Sequence, residues 1–461
     1  MIKLPMERLL ERYRLPDSWA SFSCDSDLPS RKGFFKFGDG TICFGSCSSG
    51  RVAASTKGDL HDVRASGRVD GDVFHLPFDP DQVMDNLLME KYPAESVPTE
   101  MQALMRYMYY SLRPLLPVGT RKHLQRFYLS GWEKIPFPHW PVDFTVERIL
   151  EGLLTGIMRL KGVDKIPFIW FWPNGHESCA IVTHDVEARK GRDACTALMD
   201  MDDSYGIKSA FQIIPEVRYP VSPEFLAGIR NRGFEINVHD LNHDGRLFLE
   251  EREFRHRAEA INRYGKEFQA AGFRAGVMYR NQEWYEALDF EYDMSVPNCA
   301  NLDPQRGGCC TVMPYFVGKL LELPLTTTQD YALFHFLGMY SLDLWKSQIG
   351  AIRQHHGLIS ILAHPDYLLE RREREIYLGL LRYVAELRDS QNVWVAKPRE
   401  VNDWWRMRNE LRLVQEGSSW RIEGPGNERA RIGYACLKNG SVSYDLEETT
   451  RGEQVWSTVR E

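Results

Sequence analysis

No stretch of the 461-residue sequence is apolar enough to cross a bilayer: the densest cluster, Pro167–Pro173, falls far short of the roughly 20 residues a spanning helix needs. The N-terminus, MIKLPMERLLERYRLPDSW, is broken by charge every few residues and lacks the apolar core of a secretory signal. The expected location is therefore cytoplasmic. Positive charge is also short. The 57 Lys and Arg stand against 64 Asp and Glu, a net charge of -7, with no basic run, which excludes a nucleic-acid binder that works by bulk electrostatics. Cysteines number nine, an odd count without paired CxxC spacing, and this fits reduced thiols rather than a disulfide framework. Cys43/Cys47 and the Cys309-Cys310 doublet lack the second pair that a structural zinc site requires.

Glycine (35) and proline (24) stay near ordinary usage and 43% of the residues are hydrophobic, so the chain is neither disordered nor fibrous. At roughly 100–200 residues per domain, the length predicts two or three folding units with a core that needs no staples. Residues 1–165 read as a mixed α+β region: short strand signals between Gly33 and Phe78, then helical patterns at Met101–Leu116 and Val146–Leu160. Over 166–405, β-rich runs alternate with helical segments. The strands are expected at Cys179–Thr183, Ser209–Ile214, Phe234–His239, Gly276–Arg280, Asp293–Val296, Leu321–Leu325, Leu358–His364 and Val393–Ala396. Helices are expected between them, among them Leu247–Ala271 and Gln282–Leu288. About eight strands joined by helices predict an α/β fold, a distorted β/α barrel, with a doubly wound open sheet as the alternative. Residues 406–461, with alternating segments around Gly-Pro-Gly and Asn-Gly turns, read as a small β-rich appendage.

In such folds the chemistry sits at the carboxyl ends of strands, where loops converge over a rigid scaffold. Those ends carry Thr183-His-Asp185-Val-Glu187, His239-Asp-Leu-Asn-His243, Tyr279-Arg280-Asn281 and Ala363-His364-Pro-Asp366. His239 and His243 are four apart, so one helical turn or a tight loop puts both imidazoles on one side, close enough to share an ion. Asp185 and Glu187, two apart in extended chain, point the same way, one toward the ion and the other beside it. Three protein ligands leave room for water and substrate, as a catalytic site requires. The competing structural reading, two surface or capping histidines, loses ground because acids recur at the neighbouring strand end. His335 and His355-His356 read as packing and solvated helix positions. The strip Phe168–Trp172 reads as core or domain interface rather than a sugar-stacking surface.

These residues resemble a family, the polysaccharide deacetylases (the NodB homology domain, carbohydrate esterase family four). Thr183-His-Asp185-Val-Glu187 looks like a variant of the first motif, T-F-D-D, with the second acid displaced by one. His239-Asp-Leu-Asn-His243 is similar to H-[ST]-x-x-H with Asp240 at the hydroxyl position, and Gly272-Phe-Arg274-Ala-Gly276 to G-[FY]-R-[AS]-P with Gly276 at the proline. Tyr292-Asp-Met-Ser295 resembles the following Y-D-S-S segment, and Ile361-Leu-Ala-His364-Pro the apolar strand whose histidine closes the site. The resemblance spans about residues 175–400. It implies a NodB-like distorted barrel and metal-dependent removal of an N-acetyl group from an amino sugar or polysaccharide precursor.

Amide hydrolysis needs a nucleophilic water, stabilisation of an oxyanion and a proton for the departing amine. A divalent cation held by His239, His243 and Glu187 supplies the first two. Zinc suits two imidazoles and a carboxylate, with cobalt or manganese as alternatives. Asp185 is the expected general base, Arg274 the charge that keeps it ionised, and His364 the general acid. Which acid binds the ion stays open, because Val186 occupies the usual ligand position and Glu187 takes the role by reach. The expected partner is a small-molecule or oligosaccharide substrate. Two further readings remain: a metal-independent C–N hydrolase of the allantoinase-like branch, and a non-catalytic carbohydrate-binding relative. A paired-carboxylate glycosidase does not fit, since Asp185 and Glu187 are too close in sequence to face each other across a cleft.

Overall fold

The computed structural model describes residues 2–3, 6–16, 19, 22–24, 28–71, 73–93 and 129–447. The helical pattern expected at Met101–Leu116 lies outside them. Nine strands form the central sheet: β1 (Ser178–Val186), β2 (Ala210–Ile213), β3 (Glu235–His239), β4 (Gly272–Arg274), β5 (Tyr292–Asp293), β6 (Tyr315–Val317), β7 (Leu320–Glu322), β8 (Leu358–Leu362) and β9 (Val393–Val395). They run in the order β6-β7-β5-β4-β3-β2-β1-β8, and β9 also pairs with β1. All neighbours are parallel except β6 and β7. Crossover helices supply the outer layer: α1 (Arg189–Ser204), α2 (Pro223–Asn231), α3 (Glu251–Glu267), α4 (Asp343–Gln354), α5 (Arg371–Ser390) and α6 (Pro398–Glu410).

β1 explains the choice of centre. All nine of its residues are buried, as only a parallel strand covered on both faces allows. The helices bury one stripe each; α3 turns Phe254, Ala258, Ile261 and Gly265 inward, at helical spacing, from an otherwise charged sequence. The ladder does not close between β7 and β8. The chain leaving β7 bridges the gap instead: the Thr326 hydroxyl donates to the Leu358 carbonyl at 2.7 Å and accepts from the Ser360 amide at 2.9 Å, and the Thr327 hydroxyl donates to the Ser360 carbonyl at 2.8 Å. The result is the distorted barrel, finished by side chains where regular pairing fails.

Several expected elements move. Gly276–Arg280 is not a strand; its first three residues form a 3₁₀ turn with Val277 and Met278 at φ 60° and 54°, and the strand precedes it as β4. Three residues beginning on glycine carry too little β signal to be found by pattern, while Gly276–Arg280 only imitates one. The expected helix at Gln282–Leu288 is a 3₁₀ helix, Gln282–Ala287, and Leu247–Ala271 shortens to α3. The antiparallel β6 was not anticipated. His355 and His356 follow the end of α4 and pack on aromatic rings, Phe144 and Trp170, rather than lying on a solvated helix.

The flanks attach through polar contacts and aromatic packing. Arg12 pairs with Glu147 at 3.1 Å, and Glu90 pairs with Arg280, just beyond the turn after β4. The strand Lys165–Ile169 pairs with Ile432–Lys438, which pairs in turn with Ser441–Leu446, so the strip Phe168–Trp172 is buried against the C-terminal strands. None of the nine cysteines is in a disulfide.

On the outer face of the sheet, Asp293 and Glu322 are register partners on β5 and β7, both fully buried. Burial raises both carboxyls, and repulsion from Asp293 drives Glu322 well above the ordinary range. An acid that holds its proton more tightly when folded loses folding stability as pH rises from its unfolded value, near 4.3, toward its folded one, at about 1.4 kcal/mol for each pH unit between them. A carboxamide in place of the Glu322 carboxyl would keep the acceptor that the Val296 amide uses at 3.0 Å. Glu322→Gln is therefore expected to melt a few degrees above the parent at pH 8, with the gap shrinking toward pH 4; thermal unfolding across that range checks it.

Candidate active site

Alternation along β1 puts Thr183, Asp185 and Glu187 on the inner face of the barrel and sends His184 and Val186 outward. The outward group is held by the helical layer: His184 Nε2 lies 3.0 Å from Asp202 of α1, and Tyr377 of α5 donates to the same carboxylate at 2.6 Å. This is why an acid displaced by one position still faces inward with Asp185. His239 ends β3 in register with Arg274 of β4, which puts both on that inner face. Beyond His239 the chain forms a tight loop rather than a helical turn, with Asp240 and His243 both left-handed at φ 57° and 55°. The loop brings the two imidazoles to a centroid separation of 5.0 Å.

Glu187, His239 and His243 form one cluster, each offering a ligand atom within 4.8 Å of the others. Glu187 Oε1 is 2.9 Å from His243 Nε2 and 4.0 Å from His239 Nε2. His239 donates from Nδ1 to the Arg274 carbonyl at 3.1 Å, which leaves the Nε2 lone pair facing the cluster. Both Nε2 atoms are buried and neither makes a well-aligned hydrogen bond; their polar neighbours are carboxylate oxygens. Two such imidazole nitrogens beside a carboxylate are a donor set that fits a divalent cation. Asp185 stands next to this cluster rather than in it, with Oδ2 3.6 Å from His239 Nε2 and Oδ1 2.8 Å from Arg274 Nη1. The Arg274 guanidinium also donates to the Thr183 hydroxyl at 2.9 Å and the Met294 carbonyl at 3.0 Å. His364, just past β8, approaches the same cluster, its Nε2 3.6 Å from Glu187 Oε1.

Sequence reading missed Asp330. It lies fully buried on the loop after β7 and holds His364 twice: Oδ1 accepts from Nδ1 at 2.6 Å and Oδ2 from the backbone amide at 2.7 Å. Its signal was a lone acid a few residues past an expected strand end, after Thr326-Thr-Thr-Gln, with no pattern to mark it. Tyr279, Arg280 and Asn281, named as strand-end candidates, follow the 3₁₀ turn instead, and Arg280 is engaged by Glu90.

Charge is partitioned across the site. Burial alone would raise the Asp185 carboxyl, but the Arg274 guanidinium, then His239 and His364, hold it below the ordinary value. Glu187 is likewise driven up by burial and brought well below by the three imidazoles around it. Burial pulls His364 down, and the Asp330 carboxylate more than reverses that, so its imidazolium persists well above the usual pH. A carboxylate kept ionised and an imidazolium kept protonated, both beside the Glu187–His239–His243 cluster, can take and give a proton at one pH.

No family model and no curated protein matches the sequence. Solved structures similar to it include a Mycobacterium smegmatis protein assigned as a polysaccharide deacetylase, 19% identical over 54% of this chain and 98% of that one, TM-score 0.41. The allantoinase PuuE is 12% identical over 51% and 92%, TM-score 0.40. The Bacillus subtilis peptidoglycan deacetylase PdaC is 11% identical over 51% and 94%, TM-score 0.31. Likeness at these values extends to about half of this chain and says nothing of its chemistry. Among the described residues no helix is long and apolar enough to cross a membrane.

Asp330→Asn keeps the shape but removes the charge that raises His364. Burial then dominates, and the His364 imidazole is expected to lose its proton at lower pH than in the parent. Its titration by NMR reads this directly; an unmoved or higher midpoint contradicts the assignment.

Proposed function

We propose that this chain is a metal-dependent hydrolase that removes an N-acyl group, acetyl first among them, from an amino sugar or polysaccharide precursor. Glu187, His239 and His243 are the metal ligands, with zinc the best match and cobalt or manganese as substitutes. The observation that carries this reading is the pair of buried imidazole Nε2 atoms converging on one carboxylate, beside a second, separately held carboxylate.

When bound, a divalent cation polarises the acyl carbonyl and makes water nucleophilic near neutral pH. Asp185 accepts the proton from the attacking water at Oδ2, the oxygen that Arg274 leaves free, while the Arg274–Oδ1 bond fixes its direction. His364 faces the site through Nε2, because Asp330 engages Nδ1, and donates its own Nε2 proton to the departing nitrogen as the C–N bond breaks. Water's oxygen ends on the acyl carbon and the His364 proton on the amine; the products are a free amine and a carboxylic acid that loses its proton to solvent, and the proton taken by Asp185 is passed on to restore His364. Met278, Leu325 and Leu362 form a small apolar cluster separate from the main core. Leu362 shares the inner face with Thr183 through β8–β1 register, which gives the acyl methyl an apolar surface near the strand ends.

Acetate release from a panel of N-acetylated sugars, sugar oligomers and nucleotide sugars tests the reading, with and without chelator. Activity is expected on at least one ring-bearing N-acetyl substrate, lost on chelation and restored by zinc or cobalt. Undiminished turnover in chelator removes the metal role. Asp185→Asn is expected to lose about 10²–10⁴-fold in kcat.

The pH profile follows from the shifts. Asp185 is held down, so the base form survives into acid; His364 is held up, so the acid form survives past neutrality. Arg274→Gln releases Asp185 upward, and the acid limb of kcat/KM should move to higher pH; a limb that stays put would argue against Asp185 as the base.

A further inference from the structure

Gly276 has no conformational reason to be glycine. Its backbone is not left-handed, and it follows Ala275 at φ -73°. Its reason is space. A Cβ there would collide with Asp240 Oδ2, and would lie 2.9 Å from His243 Cδ2 and 3.2 Å from His243 Cγ. Neither neighbour is a free side-chain end. The Asp240 amide donates to the Arg274 carbonyl at 2.9 Å, its Oδ1 accepts from the Leu241 amide at 2.6 Å, and its backbone is left-handed, a conformation that Asp tolerates better than most residues. The His243 ring is held from elsewhere too, with Arg218 Nη2 3.2 Å from Nδ1. Asp240 is 1% exposed, and its Oδ2 has no hydrogen-bond partner. That oxygen fills the volume which any other residue at 276 would claim.

We infer that Asp240 and Gly276 form one interlocked pair beside the His243 imidazole, so that a side chain added at 276 while Asp240 Oδ2 fills the adjoining space displaces that ring. Two of the positions where this sequence differs from the motifs it resembles, 240 and 276, thus have a single spatial cause. Asp240 is a positioning residue: its Oδ2 and the His243 ring border the same volume beside Gly276. The consequence for metal binding rests on the ligand role proposed for His243; the interlock itself does not.

The test is a double-mutant cycle read by cobalt(II) binding, from the visible absorption of the bound ion, and by thermal unfolding of the metal-free protein. Gly276→Ala is expected to weaken cobalt binding by about tenfold or more, the scale of a lost supporting contact to a ligand, and to lower the melting temperature. Asp240→Ser removes Oδ2 but keeps an oxygen for the Leu241 amide. The double variant Asp240→Ser/Gly276→Ala should therefore bind cobalt more tightly, and melt higher, than Gly276→Ala alone. A purely structural role would restore stability without restoring cobalt affinity. The interlock is overturned if the double variant is no better than Gly276→Ala in either measure, or if Gly276→Ala matches the parent. If the parent takes up no cobalt, the proposed metal function fails, and the melting temperatures alone decide the interlock. Should Gly276→Ala prove insoluble, a soluble double variant supports the pair and an insoluble one overturns it.

Discussion

Arg274 ties the inner face of the barrel together. Its guanidinium joins β4 to the Asp185 carboxylate and Thr183 hydroxyl of β1, across the two intervening strands, and its carbonyl receives both His239 Nδ1–H and the Asp240 amide. One residue thus orients the candidate base, one candidate ligand and the start of the loop that carries the other. The side chain is fully buried, and removing one partner from a buried ion pair costs about 3–5 kcal/mol because the other is left uncompensated. Strand β4 is three residues long, but these contacts fix its register more firmly than its ladder bonds could.

The His364 side of the site depends on the place where the barrel fails to close by ordinary pairing. Thr326 and Thr327 stitch the chain after β7 to β8, and the same segment continues through Gln329 to Asp330, which then grips His364 at the end of β8. Barrel closure and the setting of the candidate acid are therefore one structural event. The π-helical turn Ala332–Phe336 follows directly, and Tyr331 stacks on Tyr367, which in turn packs on the His364 ring. The N-terminal region reaches this rim as well: Glu90 clamps Arg280 beyond the turn after β4, and the Tyr92 hydroxyl donates to the Gly308 carbonyl.

Strand periodicity made much of this readable. Period-two alternation put Asp185 and Glu187 on one face, and the i,i+4 spacing of His239 and His243 required only that the chain turn back sharply. The run Leu358–Ala363 is nearly all apolar on both faces, the mark of a parallel strand covered by helices, while Phe234–His239 alternates apolar and polar residues and so points Glu235, Asn237 and His239 to one face. The strip Phe168–Trp172 was readable as core from its bulk, although not that it pairs with a strand more than 260 residues later. Among the elements of two or three residues, β5, β7 and β9 lie at or beside expected strands, whereas β4 and β6 leave no periodic trace, and the turn after β4 stands where a strand is expected.

Sequence alone determined what depends on neighbours along the chain: the barrel class, the helices that cover it, and which acids and imidazoles stand at strand ends. Only the folded chain decided what depends on groups far apart in sequence meeting in space. Asp330 becomes the partner of His364 because the barrel closes there, Arg274 reaches Asp185 because register aligns β4 with β1, and Gly276 is glycine because Asp240 occupies its side-chain volume. Local patterns encode direction and burial through backbone periodicity. Contact at van der Waals range between distant segments has no local signature, and it is at that range that this site is set.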